Sequence, residues 1–152
     1  VACDFPDLKI ILAHLGHPWM EETLAVIRKQ KNVYADLSAL YYRPWQFYNA
    51  MQLACEYGCC DKILFGSDFP ATTTGGSIQG LRNVNKIVEG TGLPRIPEDV
   101  IEQIIHRRKQ FETIGIAEPG TIGKEGYAGA NPRRKGIVDS NKSGYHLHLG
   151  FA

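Results

Sequence analysis

This 152-residue chain lacks an excess of either charge, since it carries 17 Lys and Arg residues against 16 Asp and Glu residues. Nucleic-acid surfaces and polybasic membrane anchors need a clear excess of one sign. The sequence also lacks any run approaching the roughly 18 apolar residues of a membrane span. It has no basic segment followed by an apolar core, the mark of a signal peptide. We therefore expect a cytoplasmic protein that binds neither nucleic acid nor a membrane.

Cysteine is sparse, with four residues in the chain, and their spacing excludes the common zinc and redox motifs. Cys55, Cys59 and Cys60 lie close together, but no pair has the C-x-x-C spacing. Cys3 lies far from them in sequence. This usage is typical of reduced, partly buried thiols.

Three short apolar runs have the composition of buried parallel strands, namely residues 8–13 (LKIILA), 33–37 (VYADL) and 62–65 (KILF). A helical pattern follows each run. The residues expected to open or cap these helices are Pro18, Pro44, Ser77 and, for one additional helix, Pro97. This order predicts an α/β fold with a parallel sheet. Periodicity alone leaves open whether that sheet is doubly wound or part of a (β/α)8 barrel.

The carboxyl-terminal part of the chain differs in composition from the rest. Residues 118–144 contain six glycines and two prolines, which predicts a flexible linker. Residues 145–152 alternate again and read as a strand that carries the H-x-H pair His146 and His148. We expect the folded domain to occupy residues 1–117.

Ionisable side chains stand at the ends of all three predicted strands. The first run is followed by His14, the second contains Asp36 near its end, and the third leads into Asp68. Because chemistry in α/β folds is found at the carboxyl ends of parallel strands, these groups are expected to converge on one opening. A structural interpretation also stands for each: His14 would bond a loop carbonyl, and Asp36 would cap the loop toward Ser38.

The sequence segments that contain these residues closely resemble segments of one protein family. Residues 5–16 (FPDLKIILAHLG), followed by Pro18 and Trp19, resemble the sixth-strand region of the amidohydrolase-related family. Residues 32–38 (NVYADLS) resemble its seventh strand, and residues 61–70 (DKILFGSDFP) its eighth. Residues 93–116 resemble its closing helix, so the likeness covers about residues 3–117.

The resemblance implies a metal-dependent (β/α)8 barrel, of which this chain supplies strands six to eight. Members include hydrolases and decarboxylases of the aminocarboxymuconate-semialdehyde type, so the implied substrate is a small carboxylate or cyclic molecule. By the resemblance, His14 orients or deprotonates the catalytic water or the substrate. Asp68 is implied as a ligand of a divalent metal, Zn or alternatively Mn, and as a proton carrier. His17 is expected to stabilise its loop rather than to act in catalysis.

The chain also departs from the family pattern. A barrel of this type needs eight strands, and neither the fifth-strand histidine nor an opening H-x-H near the amino terminus is present. His146 and His148 resemble the H-x-H of the family's first strand, and a spacing of two places both imidazoles on one face of a strand. In a closed barrel the first and eighth strands are neighbours. Residues 145–152 are therefore either a permuted first strand, with His146 and His148 as further metal ligands, or an unrelated tail.

Two further functions stay open. The missing ligands favour an inactive barrel remnant that binds a partner or associates with itself through its open barrel edges. A nucleotide-binding fold is a weaker alternative, because Gly75 and Gly76 precede a helix but no complete phosphate-binding motif is present.

Overall fold

The computed structural model describes residues 1–106, 114–115 and 146–149. Its centre is a parallel sheet of four described strands: β1 (Lys9–Leu12), β2 (Val33–Asp36), β3 (Ile63–Leu64) and β4 (His146–Leu149). Their order across the sheet is β3-β2-β1-β4, and each neighbouring pair is parallel. The predicted α/β fold with a parallel sheet is confirmed in the described part of the chain.

Helices connect the first three strands and follow the third. The described α-helices are α1 (Met20–Lys29), α2 (Pro44–Glu56), α3 (Thr74–Arg82) and α4 (Glu98–His106). Short 3-10 turns occupy Ala13–Gly16, Cys60–Lys62 and Val84–Val88. No described helix has the length and apolar character that crossing a membrane requires.

The observed helix starts agree with the sequence-based predictions except at α1 and α3. Pro44 opens α2, as predicted, and α4 begins directly after Pro97. α1 begins at Met20, two residues after Pro18. The prediction that Ser77 caps α3 is wrong: Thr73 is the cap, and its Oγ1 accepts the Gly76 N–H at 3.1 Å. Ser77 instead lies buried inside the helix, where its hydroxyl reaches back toward the end of β3.

The core lies between the sheet and the helices. All four residues of β2 are buried, as expected for the strand flanked by β1 and β3. Leu24 and Ile27 from α1 and Phe47 and Met51 from α2 are at most 1% exposed and pack into the same cluster. Truncating one such side chain to alanine typically costs about 2–5 kcal/mol. This packing fixes β1 and β2 relative to each other, and with them the residues at their ends.

Two polar side chains organise the amino edge of the sheet, where the strands begin. Asn32 is buried, and its Nδ2 lies within hydrogen-bond distance of the carbonyls of Ala2 (3.2 Å), Phe5 (3.0 Å) and Leu8 (2.8 Å). Lys62 Nζ likewise donates to the carbonyls of Gln30 (3.0 Å), Lys31 (2.8 Å) and Val33 (3.1 Å). Its ammonium also lies 4.3 Å from the centre of the Tyr34 ring. Both side chains hold loops to the sheet.

The strand predicted near the carboxyl terminus is present, and its neighbour differs from that of a closed barrel. β4 pairs with β1, in the register His146 opposite Lys9 and His148 opposite Ile11. The segment that resembles the eighth strand, β3, lies at the other edge of the sheet. In this sheet, therefore, the segment that resembles the first strand does not lie beside the segment that resembles the eighth. The predicted linker, residues 118–144, lies outside the described residues.

Candidate active site

A pocket of about 530 Å³ opens where β1, β2 and β3 end. Its wall is formed by His14, His17, Pro18, Trp19, Ala39, Tyr42, Arg43 and Asp68. These residues come from the loops that follow the three strands, which is where catalytic groups of α/β folds are found. The expectation that His14 and Asp68 share one end of the sheet is confirmed.

Each of the three strand ends carries a non-glycine residue with left-handed backbone. The φ angles are 56° at His14, 59° at Ala39 and 62° at Asp68, and all three residues line the pocket. Residues other than glycine rarely adopt such angles, and each instance typically costs about 1–3 kcal/mol. Strain of this kind persists only where surrounding contacts impose it, and it concentrates at functional sites. The left-handed backbone positions therefore lie at the same edge of the sheet as the ionisable residues.

Two hydrogen bonds hold His14 from both ends of the residue. Its backbone N–H donates to Asp36 Oδ1 at 3.1 Å. Its ring Nδ1 lies 2.7 Å from the hydroxyl oxygen of Ser38. The first bond fixes the turn after β1, and the second fixes the orientation of the imidazole. The end of β2 and the loop after it therefore position a side chain from the turn that follows β1.

Asp36 serves the loops rather than the pocket. Its carboxylate is buried, and Oδ1 accepts the backbone N–H of Ser38 at 2.9 Å as well as the Ser38 hydroxyl. With the His14 N–H, three donors converge on this one oxygen. The interpretation that Asp36 caps the loop toward Ser38 is confirmed, and the cap extends to His14.

Shortly after β3, the absence of a side chain at Gly66 leaves room for Ser38 and Asp36. A side-chain Cβ there would lie 3.2 Å from Ser38 Cβ and 3.4 Å from Asp36 Oδ1. The Gly66 carbonyl accepts the Tyr41 hydroxyl at 2.8 Å. Burial raises the pKa of Tyr41, and the negative charge of Asp36 raises it further, so this phenol stays protonated as a donor. The three strand ends are thus bonded or packed to one another.

Hydrogen bonds from the following segment fix the turn that carries Asp68. The Ser67 carbonyl accepts the hydroxyl of Thr72 and, at 3.2 Å, the hydroxyl of Ser77. The Asp68 carbonyl accepts the Thr72 N–H at 3.2 Å. α3 and its preceding loop therefore hold the backbone around Asp68 while its side chain borders the pocket.

Arg43 is a pocket residue that sequence reasoning missed. Its guanidinium donates to the Ala39 carbonyl at 2.5 Å and lies 4.6 Å from the centre of the Tyr42 ring. Its position in the sequence could have indicated it: residues 37–43 form the loop between β2 and α2, and such loops carry the active sites of barrels. His17 also lines the pocket, and its Nε2 lies 3.2 Å from Gln46 Oε1, a contact that braces the loop against α2.

The described residues by themselves do not form a metal centre. Among them, no group of three or more His, Cys, Asp or Glu side chains is placed to hold one ion. Asp68 and His14 reach the pocket, but a resident metal would need ligands in addition to these. His146 and His148 are described as residues of β4, and their side chains lie outside the described part of the chain.

Comparison with known proteins identifies one family. A sequence model of the amidohydrolase family matches residues 1–107. The match includes all three loops that line the pocket. No curated protein and no solved structure matches the chain.

Proposed function

The chain belongs to the amidohydrolase family, and we propose that it supplies the sixth, seventh and eighth strands of a (β/α)8 barrel enzyme of that family. In this assignment β1, β2 and β3 are those strands. The proposed reaction is hydrolysis or decarboxylation of a small carboxylate or cyclic substrate. The remaining strands would come from sequence outside these 152 residues or from a second chain.

One observation carries the proposal: three strand ends with left-handed backbone meet at a single pocket lined by His14, Arg43 and Asp68. A purely structural edge has no need to gather three non-glycine residues with left-handed backbone around one pocket. The clustering of strain and ionisable groups at the carboxyl edge instead fits a site that positions reacting groups.

The residues of the pocket have distinct proposed roles. His14 transfers a proton to or from the substrate or a water molecule, because a neutral imidazole can do either near neutral pH. Asp68 is the second catalytic group and carries a proton to or from the reacting atoms. The Arg43 guanidinium, held over Tyr42 and against the Ala39 carbonyl, is oriented to bind a carboxylate of the substrate.

A divalent metal, Zn or alternatively Mn, is part of the proposal because the family generally uses one. Asp68 is the ligand proposed from the pocket, and His146 and His148 are proposed as further ligands. A bound divalent ion would supply Lewis acidity and an activated water. Among the described residues, no three His, Cys, Asp or Glu side chains are placed to hold such an ion.

The lack of a three-ligand group among the described residues favours a second candidate function. The chain would then be an inactive barrel remnant that associates with itself or binds a partner. Ile11 and Leu12 of β1 are only half-buried, and β3 lies at an edge of the sheet of described strands, so apolar surface is available for association. Sedimentation showing a stable, compact monomer would contradict this association.

Metal content separates the two candidates. The protein is purified together with the sequence or second chain that supplies its remaining strands, and it is analysed by plasma mass spectrometry beside two variants, Asp68→Asn and the exposed control Asp7→Asn. For an enzyme we expect stoichiometric divalent metal in the wild type and in the Asp7 variant, and clear loss of metal in the Asp68 variant. A remnant would hold no stoichiometric metal in any of the three. The enzyme proposal is contradicted by that second result.

A further inference from the structure

We propose that Ser38, held by Asp36, fixes His14 as the tautomer with its proton on Nδ1, so that Nε2 is the basic nitrogen offered to the pocket. Ser38 and Asp36 are positioning residues in this scheme, because neither lines the pocket. The inference rests on the proposed role of His14 and goes further by naming the atom that takes the proton.

The direction of the hydrogen bonds follows from counting protons. A carboxylate can only accept, so the contact between Ser38 Oγ and Asp36 Oδ1 requires the single hydroxyl proton of Ser38. Ser38 Oγ then has only lone pairs left for its second contact, His14 Nδ1 at 2.7 Å. The proton between these two atoms must therefore sit on Nδ1.

The opposite assignment is unfavourable. If Ser38 donated its proton to His14 Nδ1, two acceptor oxygens would face each other at hydrogen-bond distance inside a buried loop. Ser38 and Asp36 are 6% and 8% exposed, so water is poorly placed to relieve that repulsion. The backbone N–H groups of Ser38 and His14 already donate to the same Asp36 oxygen, which keeps the carboxylate in its accepting role.

The consequence concerns the other ring nitrogen. Nε2 of His14 has no hydrogen-bond partner among the described residues, and the imidazole borders the pocket. With Nδ1 protonated, Nε2 carries the lone pair and accepts a proton from water or substrate. The resulting imidazolium keeps its Nδ1–H on Ser38, so the step needs no rearrangement of the chain from Ser38 to Asp36. Returning the proton from Nε2 restores the starting state.

The tautomer can be read without any substrate. The full chain is labelled with 15N-histidine, and long-range 1H–15N spectra are recorded at a pH of about 9, where an ordinary imidazole is neutral. The His14 signals are assigned by their loss in His14→Gln. We expect a protonated Nδ1 and a pyridine-like Nε2. A wild-type His14 protonated on Nε2 would overturn the inference, whatever the variants do.

Variants then assign the cause. Ser38→Ala should remove the preference, and the His14 signals should move toward the Nε2–H form that free imidazole favours. Ser38→Thr, which keeps the hydroxyl, should retain the Nδ1–H form. Ser77→Ala is the matched control, because it removes another buried serine hydroxyl without touching His14. If Ser38→Ala leaves the tautomer unchanged, Ser38 does not set it.

The readout separates this inference from the proposed function. An inactive or metal-free chain with His14 in the Nδ1–H form would refute the enzyme proposal and leave the positioning scheme intact. An active enzyme with His14 in the Nε2–H form would do the reverse.

Discussion

The two edges of the parallel sheet use polar side chains in opposite ways. At the amino edge, Asn32 and Lys62 each reach three backbone carbonyls, and their polar atoms face protein. At the carboxyl edge, His14, Arg43 and Asp68 border open space, and two of them sit on left-handed backbone. The comparison teaches that satisfied polar groups hold this fold together, whereas partly unsatisfied groups on strained backbone mark where chemistry is expected.

The largest effect is expected from a substitution at the carboxyl edge, and it tests the difference between the two edges directly. In an enzyme with all its strands, Asp68→Asn keeps the side-chain volume and removes the charge that proton transfer and metal binding need. We expect turnover to fall by at least about 10²-fold, with little change in thermal stability. Near-normal turnover and metal content in Asp68→Asn would make Asp68 a structural residue and would remove the distinction between the edges.

The complementary change is at the amino edge. Asn32→Ala deletes a buried amide that lies within hydrogen-bond distance of three partly buried carbonyls and leaves them without that donor. We expect the free energy of unfolding to fall by about 1–3 kcal/mol, measured by urea titration, while any activity per folded molecule is unchanged. Lys31→Ala, a change at the exposed neighbouring side chain, is the control. Equal stability of the two variants would show that the Asn32 contacts do not hold the loop.

A smaller effect is expected from Tyr41 at alkaline pH. Burial and the nearby Asp36 raise the pKa of Tyr41 above its ordinary value of 10.0. Above that pH the unfolded chain releases a proton that the folded chain retains. The contribution of Tyr41 to stability is therefore complete below about pH 10 and is lost as the pH rises toward its folded-state pKa.

Unfolding free energies between about pH 8 and 11 test this sign. Tyr41→Phe should flatten the alkaline decline, and Tyr57→Phe, a change at an exposed ring, should not. A decline of the same slope in Tyr41→Phe would mean that other groups cause it.

The smallest effect concerns the thiols near the amino edge. The Sγ atoms of Cys55 and Cys60 lie 3.3 Å apart, and this hydrogen bond lowers the pKa of Cys55. Burial raises the pKa of Cys59, which is 2% exposed. Because the thiolate is the reactive form, iodoacetamide should modify Cys55 at a lower pH than Cys59, as followed by peptide mass spectrometry. Cys60→Ala should weaken this difference, and modification of Cys59 before Cys55 would contradict it.

The sequence predicted the strands and their ends well, and the pocket less completely. Runs such as residues 8–13 are recognisable because aliphatic side chains covered on both faces leave a local signal. All three strands are shorter than predicted, at Lys9–Leu12, Val33–Asp36 and Ile63–Leu64, but His14 and Asp68 do follow strands at the same edge of the sheet. His14 and Asp68 therefore meet as expected.

The features that could not be predicted depend on contacts made only in the folded chain. Ala39 is not a residue that favours left-handed backbone, and no local sequence pattern indicates that conformation there. The His14 N–H donates to Asp36, which is distant in sequence, and the Ala39 carbonyl accepts from Arg43, which is in the same loop. The closeness of Cys55 and Cys60 likewise follows from how α2 ends, since their spacing of five matches no common motif.

The turn from β1 into α1 contains a position with no freedom to vary. Gly16 has φ +70°, and a Cβ there would lie 1.8 Å from Thr23 Oγ1. Gly58 has nearly the same angle, φ +64°, but nothing within 4 Å of its missing Cβ. In a saturation library, position 58 would accept asparagine or aspartate, whereas position 16 would hold glycine alone. The turn that connects His14 to the first turn of α1 therefore depends on glycine at position 16. No single substitution of Gly16 can adjust the placement of His14 relative to α1.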